Sequence, residues 1–285
     1  MSYTEKALVF DCHSDSLVGV LTEPKQSSCP TGVIVVVGGP QYRVGSHRHF
    51  VLLSRALAKA GIPCLRFDYR GMGDSTGNSQ DFLSINDDIR AAVDTLLQQS
   101  DNLKRIILWG LCDGATAAAC YAAEDSRIAG LVLLNPWVHT DQAEAKVYLK
   151  HYYLQRLTSG AFWRKLVSGE VRARFALRGL LDMVRKTRAG DALSTQAIDN
   201  ESLPQRLYRW LTSRSLPTAI LLSGKDYVAQ EFESLITTES RWSRLMKTIQ
   251  LERLPNADHT FSQPAEAARA IRLTVAWVTS QANIT

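Results

Sequence analysis

The run from Ile106 to Ala115 constrains the fold of this chain more than any other stretch of its 285 residues. It reads as a buried apolar strand that passes directly into the turn Gly110–Gly114 (GLCDG), and an Ala-rich helix follows at once. A strand that enters a helix through so short a turn needs glycine where backbone segments approach each other, because a Cβ would clash there. The pattern predicts a strand–turn–helix unit inside an α/β protein.

Strands and helices alternate along most of the chain. The predicted strands are Ala7–Cys12, Ser16–Leu21, Val33–Val37, Cys64–Phe67, Arg105–Trp109, Ile128–Leu134, Thr218–Leu222 and Thr248–Leu254. The predicted helices are His49–Ala60, Phe82–Gln99, Ala115–Ala123, Ala229–Met246 and Pro264–Gln281. The first two strands form a hairpin, and later β-branched runs are typical of strands buried on both faces. This order predicts an α/β fold with a mostly parallel, doubly wound sheet of about eight strands.

Strand signals stop between residues 136 and 215, where the pattern indicates helices rich in Arg, Leu and Tyr. We therefore predict a core formed by residues 1–135 and 216–285, with a helical cap inserted at 136–215. Aromatic residues of this segment could cover a site with an apolar face: Tyr148, Tyr152, Tyr153, Phe162, Trp163 and Phe175. Asp141–Gly190 holds eleven Lys or Arg against four Asp or Glu, so its charge is +7, whereas the whole chain carries +5.

A basic tract of this kind can contact phosphate, nucleic acid or an anionic membrane surface, or it can be a solvated face of the cap. We favour the solvated face, expect no nucleic-acid partner, and keep peripheral membrane contact as the less favoured alternative. No apolar run of transmembrane length and no signal peptide is visible. Five Cys without framework spacing are typical of reduced thiols, so we expect a cytoplasmic protein.

Cys112 occupies the centre of a G-x-C-x-G turn, at the position that G-x-S-x-G enzymes give to their nucleophile. The turn places its thiol at a helix N-terminus, where the helix dipole favours a thiolate and a developing oxyanion. The alternative is that the spacing is coincidental and Cys112 is a small buried side chain. Its place between a buried strand and a helix favours the nucleophile.

The residues that would activate this thiol lie near the C-terminus. His259 follows the last predicted strand and is the candidate base, a position that the other five histidines lack. Asp226 is the candidate acid, because it follows a strand and lies between nucleophile and His in the chain order of such enzymes. Asp258 is the alternative acid, although a side chain adjacent to His259 would normally point away. His47 and His49 flank a helix start and are expected to be surface or structural residues.

Backbone N–H groups near the thiol could stabilise a tetrahedral oxyanion. Asp113, the residue after the candidate nucleophile, would supply one N–H, and the loop after Val33–Val37 would supply another. Pro40 in that loop has no N–H, so either Gly39 or Gln41 must be the second donor.

Tyr42, Arg43 and Arg48 could line the mouth of a substrate-binding site, or they could be ordinary surface residues. The glycine-rich stretch Phe67–Ser75 is interpreted as a structural turn, and Ser75 is a poor nucleophile because the stretch lacks the strand–turn–helix geometry. We predict neither a metal nor a cofactor.

Taken in order, these segments resemble the α/β-hydrolase superfamily over nearly the whole chain. Gly38–Arg48 (GGPQYRVGSHR), the Cys turn and Asp258–Phe261 (DHTF) are similar to a narrower group, the exosortase A system-associated hydrolases of type 1. That group itself resembles serine-aminopeptidase-like lipases and esterases. Membership implies a bacterial protein encoded near exopolysaccharide and protein-sorting functions, with no established substrate. The chain departs from the superfamily by having Cys for Ser, which resembles dienelactone hydrolase.

Three functions are consistent with these residues. The favoured one is a hydrolase that cleaves a small-molecule ester or thioester through an acyl-cysteine intermediate. The second is an acyltransferase, in which a sugar hydroxyl or an amine replaces water. The third is a non-catalytic binding protein, which would have no need of the turn, the His and the acid together. No oligomeric state is predicted.

Overall fold

A computed structural model describes residues 2–26, 29–39, 41–99, 102–139 and 201–282. Backbone contacts group Met1–Val138 with Arg206–Thr285 as one unit, and His139–Gln205 is a second. The core unit therefore resumes at Arg206, before the predicted boundary at 216. The six aromatic residues predicted for the cap and the basic tract Asp141–Gly190 lie outside the described residues.

The core unit contains one eight-stranded sheet, which confirms the predicted fold class. Its strands are β1 (Tyr3–Cys12), β2 (Asp15–Pro24), β3 (Thr31–Val36), β4 (Cys64–Asp68), β5 (Arg105–Leu111), β6 (Ile128–Leu134), β7 (Thr218–Ser223) and β8 (Gln250–Leu254). They lie in the order β1-β2-β4-β3-β5-β6-β7-β8. β2 runs antiparallel to both β1 and β4, and all other neighbours are parallel. The strands β3, β4 and β7 are buried throughout. The β-branched and Leu-rich sequences of β3 and β7 predict this burial, whereas β4 also buries the charged residues Arg66 and Asp68.

The described helices are α1 (His49–Lys59), α2 (Asn86–Gln98), α3 (Asp113–Ala122), α4 (Leu203–Ser213), α5 (Tyr227–Thr238), α6 (Ser240–Leu245) and α7 (Pro264–Ala282). None of these described helices is long and apolar enough to cross a membrane. The helix predicted from Phe82 begins instead at Asn86, after a 3-10 turn in which the Asp81 carboxylate accepts from the Leu83 N–H at 2.9 Å. The single helix predicted over Ala229–Met246 is two helices, because Glu239 has an extended backbone.

Helix α4 lies in the segment predicted as cap, yet its second half packs with the core unit. Leu207 and Leu211 are buried, and Tyr208 meets Trp242 edge to face with ring centres 5.3 Å apart. Just after α4, the Arg214 guanidinium donates to the Ala122 carbonyl oxygen at 2.8 Å. These contacts explain why the core unit resumes before residue 216.

The strand order also decides where a site can form. The chain passes from β3 to β4 on one side and then to β5 on the other side of β3, so β3 and β5 flank a switch point. In the register of this pair, Val36 lies opposite Gly110. The loop after β3 and the turn after β5 therefore leave the sheet side by side, which is where doubly wound sheets bind ligands.

Candidate active site

The turn after β5 holds Cys112 in a strained backbone conformation, with φ 61° and ψ −127°. A Cβ at Gly110 would lie 2.4 Å from the Gly114 carbonyl oxygen, and one at Gly114 would lie 2.6 Å from the Val36 carbonyl oxygen. Both glycines are therefore required by close backbone approach, as predicted. The result is a half-buried thiol at the N-terminus of α3.

The structure brings three of the predicted side chains together. The Asp226 Oδ2 atom lies 2.8 Å from His259 Nδ1, and the His259 ring also makes a side-chain hydrogen bond with Cys112. Because Nδ1 faces the carboxylate, Nε2 is the ring nitrogen left for the thiol. Cys112, His259 and Asp226 thus form one connected chain of hydrogen bonds.

The surroundings of His259 favour its charged form. The hydrogen bond with Asp226, followed by the one with Cys112, raises the pKa of His259 to about 10, although partial burial of the ring works in the opposite direction. At neutral pH the imidazolium therefore carries a positive charge next to the Cys112 sulfur.

The two candidate acids have different partners. The Asp226 side chain is buried, caps α5 by accepting from the Val228 N–H at 3.1 Å, and reaches His259 with its other oxygen. The Asp258 carboxylate accepts from the backbone N–H groups of Thr260 and Ser262 at 3.1 and 3.0 Å. Asp258 therefore shapes its own loop, and Asp226 is the carboxylate at the imidazole.

A buried residue that sequence reasoning missed supports the Asp226 turn. Asn135, just after β6, accepts from the Ser223 N–H at 2.9 Å and donates to the Ser223 hydroxyl at 3.0 Å. Its φ of 46° is a conformation that Asn tolerates better than most residues. A polar residue directly after the apolar run of β6 was the available signal for this role.

The amide predicted as an oxyanion donor at Gly39 is already engaged. The Gly39 N–H donates to Asp113 Oδ1 at 2.6 Å, so its single proton points at a carboxylate and not at the space beside the thiol. Because the Gly39 N–H is engaged, Gln41 is the remaining candidate for the second oxyanion donor. Burial raises the pKa of Asp113, although the N–H groups of Gly39 and Gly114 oppose the shift.

Arg43 does not fit the predicted role in substrate binding. Its guanidinium pairs with the fully buried Asp68 and with Asp74, and its backbone N–H donates to Asp68 Oδ1 at 2.6 Å. Burial opposes the charge on Arg43, but these two carboxylates raise its pKa overall. Arg43 is thus a structural residue of the loop, whereas Tyr42 beside it is exposed.

The structure places His49 in the core, where its ring stacks on Phe261 with centres 5.0 Å apart and planes 15° apart. Phe261 belongs to the His259 loop, so the stack supports that loop from beneath. Burial lowers the pKa of His49 to about 4, and its Nδ1 atom has no partner in the described part of the chain. Of the two expectations for His49, surface or structural, the structural one holds.

A strained turn after the central strands, followed in chain order by an acid loop and a histidine loop at the same edge of the sheet, defines the α/β-hydrolase class of fold. Residues 33–270 match the alpha/beta hydrolase family. The chain belongs to that family.

Solved structures share the fold at low sequence identity. An esterase of Pyrococcus furiosus is 16% identical, with a TM-score of 0.65 over 98% of this chain and 93% of that one. Est1E of Butyrivibrio proteoclasticus, solved with bound ferulic acid, is 18% identical, with a TM-score of 0.61 over 95% and 99%. A dienelactone hydrolase of Anabaena variabilis is 15% identical, with a TM-score of 0.62 over 98% and 99%.

Curated relatives match a shorter stretch. A polyketide transferase of a Penicillium species is 32% identical over 82 residues, which are 27% of this chain and 28% of the relative. The quorum-quenching protein AidA of Acinetobacter baumannii is 33% identical over 82 residues, 27% of each chain. The matched stretch spans little more than a quarter of these relatives.

Proposed function

We propose that this protein hydrolyses a small-molecule ester or thioester through an acyl-cysteine intermediate on Cys112. The observation that carries the proposal is the hydrogen-bonded chain from Asp226 through His259 to Cys112, with the Nδ1–Oδ2 distance of 2.8 Å. A thiol, an imidazole and a buried carboxylate in this arrangement are what nucleophilic acyl transfer requires.

In the first half-reaction the Cys112 thiolate attacks the acyl carbon and a C–S bond forms. The bond to the leaving alcohol or thiol breaks, and the His259 imidazolium protonates that leaving group. In the second half-reaction neutral His259 takes a proton from water, whose oxygen attacks the same carbon. The C–S bond then breaks, the carboxylic acid leaves, and the thiolate–imidazolium pair is restored.

The other four thiols are poor alternatives for this role. Burial raises the pKa of Cys12 to about 11 and that of Cys64 to about 12, and it raises the pKa of Cys120 as well. Cys29 is half-exposed but lies at the opposite end of β3 from the turn, where its thiol donates to the Thr31 carbonyl oxygen at 3.4 Å. Cys29 therefore serves as the matched control for Cys112.

The test is turnover of a panel of acyl thioesters and activated esters, followed through the released thiol or alcohol. Cys112→Ala should lower turnover by about 10⁴-fold or more, because the nucleophile is lost. Cys29→Ser should stay within about twofold of the parent protein, since surface changes away from a site have small effects. Equal turnover by the parent protein and Cys112→Ala would contradict the proposal.

A second candidate function is acyl transfer to an acceptor other than water, and the 82-residue similarity to a polyketide transferase favours keeping it. The two activities share the acyl-cysteine and differ only in the group that attacks it. Adding an alcohol or amine acceptor separates them, because a transferase releases acylated acceptor at the expense of free acid. The link to exosortase and exopolysaccharide systems stays a prediction from the narrower resemblance.

A further inference from the structure

The Asp113 side chain joins two segments that no other described side chain connects in this way. Its Oδ1 atom accepts from the Gly114 N–H at 2.9 Å, within the turn that carries the nucleophile. The same atom accepts from the Gly39 N–H at 2.6 Å, in the loop after β3. One carboxylate oxygen therefore bridges the nucleophile turn and the neighbouring loop.

The contact between the loop and the turn leaves no room for a residue larger than glycine at positions 38 and 114. A Cβ on Gly38 would lie 2.3 Å from Asp113 Oδ1 and 2.3 Å from the Leu111 carbonyl oxygen, and a Cβ on Gly114 would lie 2.8 Å from the Gly38 nitrogen. The loop and the turn thus meet backbone to backbone. The carboxylate oxygen is the acceptor that satisfies the N–H groups left at this junction.

The far end of the same loop is held by a second carboxylate. Asp68 accepts from the Arg43 N–H at 2.6 Å, and the Gln41 side chain accepts from the Ser46 N–H at 3.1 Å. The loop is therefore fixed at Gly39 and at Arg43. Gln41, the remaining candidate for the second oxyanion donor, lies between these two fixed points.

We propose that Asp113 is a positioning residue that fastens the loop after β3 to the nucleophile turn, and so sets the distance between the Cys112 sulfur and the amides of that loop. This inference rests on the proposed function. The role depends on Oδ1 as an acceptor of two hydrogen bonds and not on the negative charge. An Asn side chain, whose single oxygen can accept both N–H groups, should perform it.

The test compares Asp113→Ala with Asp113→Asn in the turnover assay. Asp113→Ala should lower kcat by about 10²-fold with KM within about threefold, because a small misplacement of amides costs transition-state binding. Asp113→Asn should recover kcat to within about fivefold of the parent protein, with only a small shift of the pH profile of kcat from the lost interaction of the carboxylate with charged His259. Asp81→Ala removes a carboxylate that accepts from the Leu83 N–H within its own turn, and should leave kcat within about threefold because this bond does not hold the loop after β3.

Three results would overturn the inference. One is parent-like kcat in Asp113→Ala. Another is a loss in Asp113→Asn as large as in Asp113→Ala, with a shifted pH profile, since the charge and not the acceptor would then matter. If Asp113→Ala does not fold, Asp113→Asn alone decides. The third contradicting result is then a 10²-fold loss of kcat in Asp113→Asn. Cys112→Ala separates the two proposals, because turnover that survives in it contradicts the proposed function itself.

Discussion

The two sides of the Cys112 turn are built differently. On the His–acid side, which comprises the turn Gly224–Asp226 and the loop Pro255–Phe261, backbone groups hold the loops together. The Gly224 N–H donates to the Leu254 carbonyl oxygen at 2.9 Å, and the Lys225 N–H donates to the Ala257 carbonyl oxygen at 2.9 Å. The side chains of Asp226 and His259 are thereby left to bind each other and the thiol.

On the amide side, the loop from Gly38 to Arg43, the roles are reversed. Carboxylates of Asp113 and Asp68 hold the backbone N–H groups of Gly39 and Arg43. Acidic side chains there join main-chain amides of a distant segment, whereas on the His–acid side main-chain bonds join the two loops and the Asp226 and Asp258 carboxylates accept N–H groups only within their own segments. Changes on the His–acid side should therefore lower mainly kcat, whereas changes on the amide side should also lower the free energy of unfolding.

The largest effect is expected on the His–acid side. His259→Ala should lower kcat by about 10⁴-fold and Asp226→Asn by about 10²–10³-fold, because the base is lost in one and only misoriented and less basic in the other. Asp258→Asn is the matched control and should stay within about threefold, since Asp258 accepts from Thr260 and Ser262. Steady-state kinetics on the folded variants measures this. A loss in Asp258→Asn equal to that in Asp226→Asn would contradict the assignment.

An effect on stability is expected on the amide side. Arg43→Met leaves the Asp68 carboxylate without its cation in a fully buried position, so the free energy of unfolding should fall by about 3–5 kcal/mol. Asp68→Asn combined with Arg43→Met should restore part of that loss. Urea unfolding measures both, with the exposed Arg90→Met as a control expected to change stability by less than about 0.5 kcal/mol. Unchanged stability with a raised KM would make Arg43 a substrate residue after all.

Much of the fold and the His–acid side could be predicted from sequence, because strand order, turn glycines and chain order of the three side chains are visible as patterns. The break at Glu239 is not among the predicted features, although Thr237, Thr238 and Ser240 around it are weak helix formers. The sequence also does not predict which carboxylates accept from the N–H groups of Gly39 and Arg43. Which carboxylate meets a backbone N–H depends on the register of β3 against β5 and on loop conformation, which leave no pattern in composition.

The smallest effect concerns the support beneath the His259 loop. The pKa of His49 is about 4 in the folded protein and near 6.5 when unfolded, so the unfolded state binds the proton first as pH falls from 6.5 to 4. His49 therefore lowers stability progressively over that window, by up to about 3 kcal/mol, and has no such effect above pH 7. His49→Phe keeps a ring against Phe261 and should reduce the loss of stability between pH 7 and pH 4.

Urea unfolding at pH 7 and pH 4 measures this difference. His47→Asn, which changes an exposed neighbour, should leave most of the acid loss in place. An acid loss in His49→Phe as large as in the parent protein would show that the buried ring of His49 is not its source.

The measurement that tests the central claim most directly is intact-protein mass spectrometry of an acid-quenched reaction with each thioester or ester, followed by peptide mapping. The account predicts a mass increment of one acyl group, mapped to Cys112 and absent in Cys112→Ala. It also predicts that the increment persists longer in His259→Ala once acylated with an activated ester, because deacylation needs the base. An increment that maps to Cys29 or another residue would contradict the account. So would turnover without any acyl-enzyme in the quenched samples, combined with full activity in Cys112→Ala.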